Sequence, residues 1–124
     1  MKRDMDLIRS IALRLEEQDE RLYVVFHSQE LCLPEYSNRE IDEHLLIMSE
    51  AGLVSGEREQ MMNGDGYWQS LRLTWHGHEF LAAARDEAIW KQATGKVSSK
   101  VGSVTLEVLT KVLSDLAAKA MGLP

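Results

Sequence analysis

The chain of 124 residues is poor in cysteine and proline and has no long apolar run. Its single cysteine, Cys32, cannot form an intramolecular disulfide, as is typical of proteins in a reducing compartment. Arg9 and Arg14 interrupt the apolar positions near the start, so no signal-peptide core is recognisable. No stretch approaches the roughly 18 apolar residues that cross a bilayer. We therefore expect a cytoplasmic protein without a membrane partner.

Positive charge is also scarce, because 14 Lys and Arg face 20 Asp and Glu for a formal charge of -6. Such a field repels phosphate backbones, so binding to DNA would require a local basic patch. The sequence lacks a glycine-rich phosphate loop, a nucleophile elbow and paired carboxylates at a catalytic spacing. These absences predict a protein that is not an enzyme and that needs no cofactor.

The first half of the chain carries two clear helix signals around a short strand. Asp4 is suited to cap a helix whose apolar residues recur every three or four positions. Residues 22–26 are β-branched and aromatic, which predicts a strand. Ser37 and Glu40 have the spacing of a capping box, and Gly52 can end the following helix in the left-handed conformation. We expect that helix over residues 38–51.

Residues 53–74 have the pattern of a β-hairpin. The turn at residues 63–66 is rich in Asn and Gly, which tolerate positive φ. In the returning strand, Trp68 alternates with Leu71 and Leu73, and this alternation puts Trp68 on the outer face. An exposed tryptophan there would suit a partner interface, or it could cover a neighbouring strand.

The C-terminal part is predicted to be helical with one interruption. Thr74 can cap a helix that reaches about residue 93, and residues 95–102 are linker-like. The last helix repeats apolar residues at intervals of three and four, the spacing of a narrow packing seam. The seam consists of Leu106, Leu109, Leu113, Leu116 and Ala120. It can dock on the domain, or residues 103–121 can form a homodimer.

The order of these elements is that of a winged helix-turn-helix. We therefore predict an α+β, mostly helical chain with a β-hairpin wing and additional C-terminal helices. The expected division is a winged-helix core over residues 1–94, a linker over 95–102 and a C-terminal helix over 103–124. Pro34 leaves little room for a full helix ahead of the helix at residues 38–51.

Two segments resemble known proteins. Residues 37–54, with His44-Leu45 and a terminal Ala-Gly-Leu-Val, resemble the recognition helix of small bacterial repressors, and residues 71–81 resemble the step that follows the wing. The whole chain resembles a family of phage and prophage proteins catalogued as a domain of unknown function. That resemblance rests on the opening nine residues and on Leu73-Thr74-Trp75-His76-Gly77. It implies a mobile-element origin and a winged-helix core, but no established activity.

In a DNA-binding winged helix, the start of the recognition helix and the wing contact bases and phosphates. The corresponding candidate residues for nucleic-acid or partner binding are Ser37, Asn38, Arg39, Asp42, Glu43, His44, Arg58, Asn63 and Trp68. Acidic residues are frequent in both regions, and phosphates repel carboxylates. This face is therefore weak for DNA by charge, although the resemblance favours it.

Metal and thiol chemistry are disfavoured. His76 and His78 lie two positions apart and so face different directions on a helix, which predicts exposed histidines and no metal site. Cys32 lies between Leu31 and Leu33, which predicts a buried core residue.

Two hypotheses remain. The first is a phage-type transcriptional regulator that binds duplex DNA, and the family-like motifs favour it. The alternative is a protein-binding module whose acidic winged-helix face docks on a basic protein, for example to inhibit a host nucleic-acid-handling or defence complex.

Overall fold

The computed structural model describes residues 2–18, 25–26, 28–62, 66–101 and 105–123. Within these ranges the chain is α+β and mostly helical, as predicted, with a β-hairpin in its middle. The elements are α1 (Met5–Glu17), β1 (Val25–Phe26), a 3-10 helix (Ser28–Leu31), α2 (Asn38–Glu50), β2 (Val54–Gln60), β3 (Gly66–Leu73), α3 (Trp75–Ala84), α4 (Glu87–Val101) and α5 (Leu106–Ala120). None of the described helices is long and apolar enough to cross a bilayer.

The caps predicted for α1 and α2 are confirmed. The Asp4 carboxylate accepts hydrogen bonds from the first-turn amides of α1. Ser37 Oγ accepts from the amide of Glu40 at 3.1 Å, and the Glu40 carboxylate accepts from the amide of Ser37 at 3.2 Å. This reciprocal pair satisfies amides that have no partner within the helix. At the other end of α2, Gly52 adopts a φ of +78°, as predicted.

The sheet is antiparallel, with the order β1-β3-β2, so β3 is central and β2 lies at an edge. The hairpin register breaks between Ser55 and Glu57. Opposite this break, Ser70 on β3 has a φ of +56°, which marks it as the bulged residue. Gly56 faces the bulge, where an added Cβ would lie 3.1 Å from the carbonyl oxygen of Gln69.

The bulge overturns the predicted position of Trp68. Strict alternation places Trp68 and Leu73 on opposite faces of β3, but both side chains are buried. The bulge at Ser70 inserts a residue between them and reverses the alternation, so both face the core. Trp68 is only 2% exposed, and its predicted exposure on the outer face of the hairpin is wrong.

The chain forms two compact units, Met1–His78 and Glu79–Pro124. In the first, α1 packs against α2 and β3. The core of this unit includes buried aliphatic side chains from every helix and from both hairpin strands or their flanks. These side chains are Leu7, Ile8, Ile11, Leu15, Leu31, Leu33, Ile41, Leu45, Met48, Leu53, Val54 and Leu73.

The step from the hairpin into α3 is held by Thr74 and Gly77. The amide of Thr74 donates to the carbonyl of Leu53 at 3.0 Å, and its hydroxyl donates to the carbonyl of Gly52. The same hydroxyl accepts from the amide of Gly77 at 3.0 Å. A Cβ at Gly77 would lie 2.0 Å from the Leu53 carbonyl oxygen. The Leu-Thr-x-x-Gly segment therefore closes the hairpin against the end of α2.

The second unit corrects the prediction of one helix from Thr74 to about residue 93. The helix stops at Ala84, and a new helix begins at Glu87. The carboxylate of Asp86 accepts from the amide of Ile89 at 2.9 Å, and an aspartate that caps a new turn competes with continuation of the old helix. Phe80 and Trp90 then meet edge to face, with ring centroids 6.1 Å apart.

The predicted linker is also different from the structure. Helix α4 continues through residues 95–101, because one glycine in a helix costs only about 1 kcal/mol. In α5, Leu109, Leu113 and Leu116 are buried, so this part of the predicted seam is covered within the chain. A homodimer through residues 103–121 and the functional division at residues 94 and 103 stay predictions.

Cys32 does not occupy the predicted core position. Its neighbours Leu31 and Leu33 are buried, but Cys32 is exposed, with a φ of +54°. The backbone leaves the 3-10 helix at this residue and turns the thiol outward.

Candidate binding surface on helix α2 and the hairpin

The exposed start of α2 carries three of the predicted contact residues. Ser37 and Asn38 are exposed, although the Ser37 hydroxyl is occupied by the cap. The Arg39 side chain is 88% exposed and lies 3.4 Å from the Glu43 carboxylate, one helical turn later. Pairs of this exposed type contribute at most about 1 kcal/mol. Arg39 is therefore accessible, but a carboxylate is beside it.

Asp42 lies on another side of α2, where it joins the helix to both strands of the hairpin. Its Oδ2 accepts from Arg58 Nε at 2.9 Å and from Arg58 Nη2 at 2.6 Å. Its Oδ1 accepts from Trp68 Nε1 at 3.0 Å. Arg58 and Trp68 are themselves opposite each other across β2 and β3. We name these three residues the Asp42 bridge.

Arg58 is thus committed to an intramolecular partner. The hydrogen bond from Asp42 is the main cause that raises the pKa of Arg58 above its usual value. Gly66 makes room for the guanidinium, since an added Cβ would lie 2.5 Å from Arg58 Nη2. Only 24% of the Arg58 side chain and 15% of the Asp42 side chain are exposed. The predicted cation of the hairpin is largely withdrawn from solvent.

His44 is also internal, which corrects its predicted place on the contact face. It is 1% exposed. Its Nε2 accepts from the amide of Asp4 at 2.9 Å, and its Nδ1 lies 2.8 Å from the Glu40 carbonyl oxygen. The tautomer with the proton on Nδ1 satisfies both contacts. His44 thereby ties the start of α1 to α2 and has no surface left for a partner.

The structure divides the predicted contact residues. Asp42, Arg58 and Trp68 come together in the Asp42 bridge, whereas Asn63 lies outside the described residues. Outward from α2, residues at intervals of four, three and four form what we call the outer α2 stripe. Its members are Arg39, Glu43, Leu46 and Glu50.

Sequence reasoning missed the apolar end of the hairpin. Met61 and Met62 directly follow β2, and both are exposed, Met62 completely. Two consecutive methionines just before a turn rich in Asn and Gly were the available signal, because side chains at a hairpin end have few neighbours to cover them. We call these two residues the methionine tip.

No group of three or more His, Cys, Asp and Glu within the described ranges has the arrangement of a metal site. His76 and His78 are exposed on α3, as predicted. Among the described residues, the polar side chains of α2 and the hairpin therefore serve structure or contact.

A family model described as hypothetical protein (DUF2513) matches residues 2–103. The chain belongs to the DUF2513 family. The chain is also 28% identical over 125 residues to an uncharacterized protein of Haemophilus influenzae, with 98% of this chain and 99% of that protein covered. No solved structure matches the chain significantly. The predicted resemblance to a family of unknown function is confirmed, and the DUF2513 match spans α1 to α4 and ends before α5.

Proposed function

We propose that this protein is a non-enzymatic, cytoplasmic winged-helix module of phage or prophage type that docks on a basic protein. The docking surface is the outer α2 stripe together with the methionine tip. In this assignment α2 is the recognition helix and β2 and β3 form the wing.

The order of α2 and the hairpin supports the winged-helix assignment. The hairpin directly follows the helix, and the Asp42 bridge fixes the two against each other. The contacts of Thr74 then lead the chain into α3 at the base of the hairpin.

The observation that favours a protein partner over DNA is the capture of Arg58 by Asp42. Phosphate contacts from Lys and Arg supply much of the affinity for DNA. Here the hairpin cation is bound at 2.6 Å to a carboxylate and is mostly shielded from solvent. To contact phosphate, Arg58 would have to leave Asp42 unpaired in a partly buried place, which is costly.

The outer α2 stripe has the opposite preference. Glu43 and Glu50 outnumber Arg39, so the stripe attracts positive charge. Leu46 lies between the two glutamates and is exposed. Protein interfaces combine a buried apolar centre with a polar rim, and methionine adapts its shape to different partners. Leu46 and the methionine tip supply the apolar contacts, and the carboxylates select a basic surface.

A transcriptional regulator that binds duplex DNA is the second candidate. Asn38 and Arg39 favour it, because both are exposed at the start of α2, where recognition helices contact base edges. One arginine beside a glutamate gives this candidate little phosphate affinity.

The two candidates are separated by fluorescence anisotropy of labelled mixed-sequence duplex DNA at two salt concentrations. We expect no binding at moderate salt, and no difference between the wild type and Arg39→Ala. Binding that falls steeply with salt and is lost in Arg39→Ala would establish the DNA-binding candidate instead.

The protein-binding proposal is tested by affinity capture from a bacterial lysate, with a charge-reversed stripe. We expect a partner to be retained by the wild type and lost by the Glu43→Arg/Glu50→Arg variant. Glu107→Arg on α5 is the matched control, because it reverses an exposed charge away from the stripe. Equal capture by all three proteins would contradict docking through the stripe.

A further inference from the structure

We propose that the free edge of β2 binds an extended basic segment of the partner as an additional strand. This inference deepens the proposed function, since it rests on a basic protein partner and names the form in which a part of that partner binds. The occupant is a short stretch in which Lys or Arg recurs at every second position.

The position of β2 in the sheet supplies the first observation. Because the order of the described strands is β1-β3-β2, one side of β2 bonds to β3 and the other has no neighbouring strand. The half of β2 nearest the hairpin end is open to solvent, with Glu57, Glu59 and Gln60 exposed. An edge strand presents backbone N–H and C=O groups that can pair with another chain.

Charge supplies the second observation. Glu57 and Glu59 have exposed side chains and, at positions two apart, lie on the same face of the strand. Arg58 between them points to the other face, where Asp42 holds it. The open edge is therefore lined by two carboxylates on its solvent face, while the one arginine of the strand is turned toward α2.

These two observations define the occupant. Side chains directly opposite each other on neighbouring strands have Cβ atoms about 5 Å apart, so opposite charges at those positions attract. A strand added beside β2 with Lys or Arg at alternate positions sets its cations against Glu57 and Glu59. The bulge at Ser55 and Glu57 ends the regular edge on the other side, so the paired segment is short.

The probe for this inference is a labelled synthetic peptide in which lysine alternates with valine, with a glutamate–valine peptide as the sign-reversed control. We expect anisotropy to show binding of the lysine peptide alone. Hydrogen exchange of the full-length protein should then show new protection at amides of β2, since added-strand pairing shields groups that face solvent in the free protein.

Two charge-reversed variants separate this inference from the proposed function. Glu57→Lys/Glu59→Lys should weaken the lysine peptide by roughly tenfold or more, because two attractive cross-strand pairs become repulsive. Glu43→Lys/Glu50→Lys, the matched control on the outer α2 stripe, should retain the binding to within about twofold. Circular dichroism of both variants checks that each is folded.

The opposite results overturn the inference in distinguishable ways. Loss of the peptide only in the Glu43→Lys/Glu50→Lys variant would move the basic ligand to α2 and leave the proposed function standing. Binding without new protection at β2 amides would exclude strand addition. No binding of the lysine peptide by the wild type would mean that the edge carboxylates only keep two copies of the chain from pairing.

Discussion

The two compact units are held together by different kinds of contact. In Met1–His78, hydrogen bonds join residues that are far apart in the sequence: 40 residues separate Asp4 from His44, and 26 separate Asp42 from Trp68. In Glu79–Pro124, α4 and α5 pack through buried apolar side chains. The side-chain hydrogen bonds of Thr105 and Thr110 in this unit reach only three or four residues along the chain.

This difference explains how each unit responds to a change. An apolar contact is spread over many atom pairs, so its loss depends on the volume removed. A bridge such as that of Asp42 concentrates several hydrogen bonds on one carboxylate, so a single substitution leaves other polar groups without partners. The surface that we propose for binding belongs to the unit with the concentrated contacts.

The largest effect is expected when the apolar unit is opened. Leu113 is completely buried in α5, so Leu113→Ala should lower the free energy of unfolding by about 3 kcal/mol through lost burial and a new cavity. Urea denaturation followed by circular dichroism measures this change. Val108→Ala on the same helix is the control, because Val108 is about half exposed and its loss should cost under about 0.5 kcal/mol. Equal costs would show that α5 is not packed as described.

A somewhat smaller effect is expected from removal of the central carboxylate in the first unit. Asp42→Ala should cost about 2 kcal/mol, because Arg58 and the indole N–H of Trp68 lose their partner in a place that is only partly open to solvent. The same urea experiment measures the cost.

A pair of double-mutant cycles on α2 provides the control for Asp42. The coupling of Asp42 with Arg58 should exceed about 1 kcal/mol, whereas that of Arg39 with Glu43 should stay below it, since the second pair is much more exposed. Comparable coupling energies would contradict a special structural role for the Asp42 bridge.

Sequence reasoning succeeded where one local rule decides the structure. The caps at Asp4 and Ser37, the left-handed Gly52 and the buried leucines of α5 follow from spacing and side-chain chemistry. It failed at Trp68, because a bulge at Ser70 has no clear signature in the sequence and reverses the faces of the strand.

The candidate surface was predictable only in part. Its location on α2 and the hairpin could be predicted, but the inward position of His44 and Arg58 could not, because each depends on partners in other elements. Hydrophobic period does not reveal which polar residues will meet across 16 or 40 positions. The residues removed from the contact face in this way are those that decide between DNA and protein.

Two glycines sharpen the comparison between the units. Gly77→Ala should destabilise the first unit by about 2 kcal/mol, since its Cβ would lie 2.0 Å from the Leu53 carbonyl oxygen and the backbone would have to move. Gly95→Ala should stabilise α4 by about 0.5–1 kcal/mol, because its Cβ meets nothing and alanine favours a helix. Urea denaturation of both variants measures the two changes. Effects of the same sign would contradict the close contact at Gly77.

The smallest expected effect is a dependence of stability on alkaline pH through Tyr36. Burial, together with the nearby Asp4 carboxylate, raises the pKa of Tyr36 in the folded protein above its usual 10.0. The folded chain thus holds this proton more tightly than the unfolded chain, so the contribution is complete below pH 10.0 and is lost as the pH rises through the folded-state pKa. Tyr36→Phe should make the alkaline loss of stability less steep. The difference between the phenolate absorbance titrations of wild type and variant isolates Tyr36, and a midpoint at or below 10.0 would contradict its position beside Asp4.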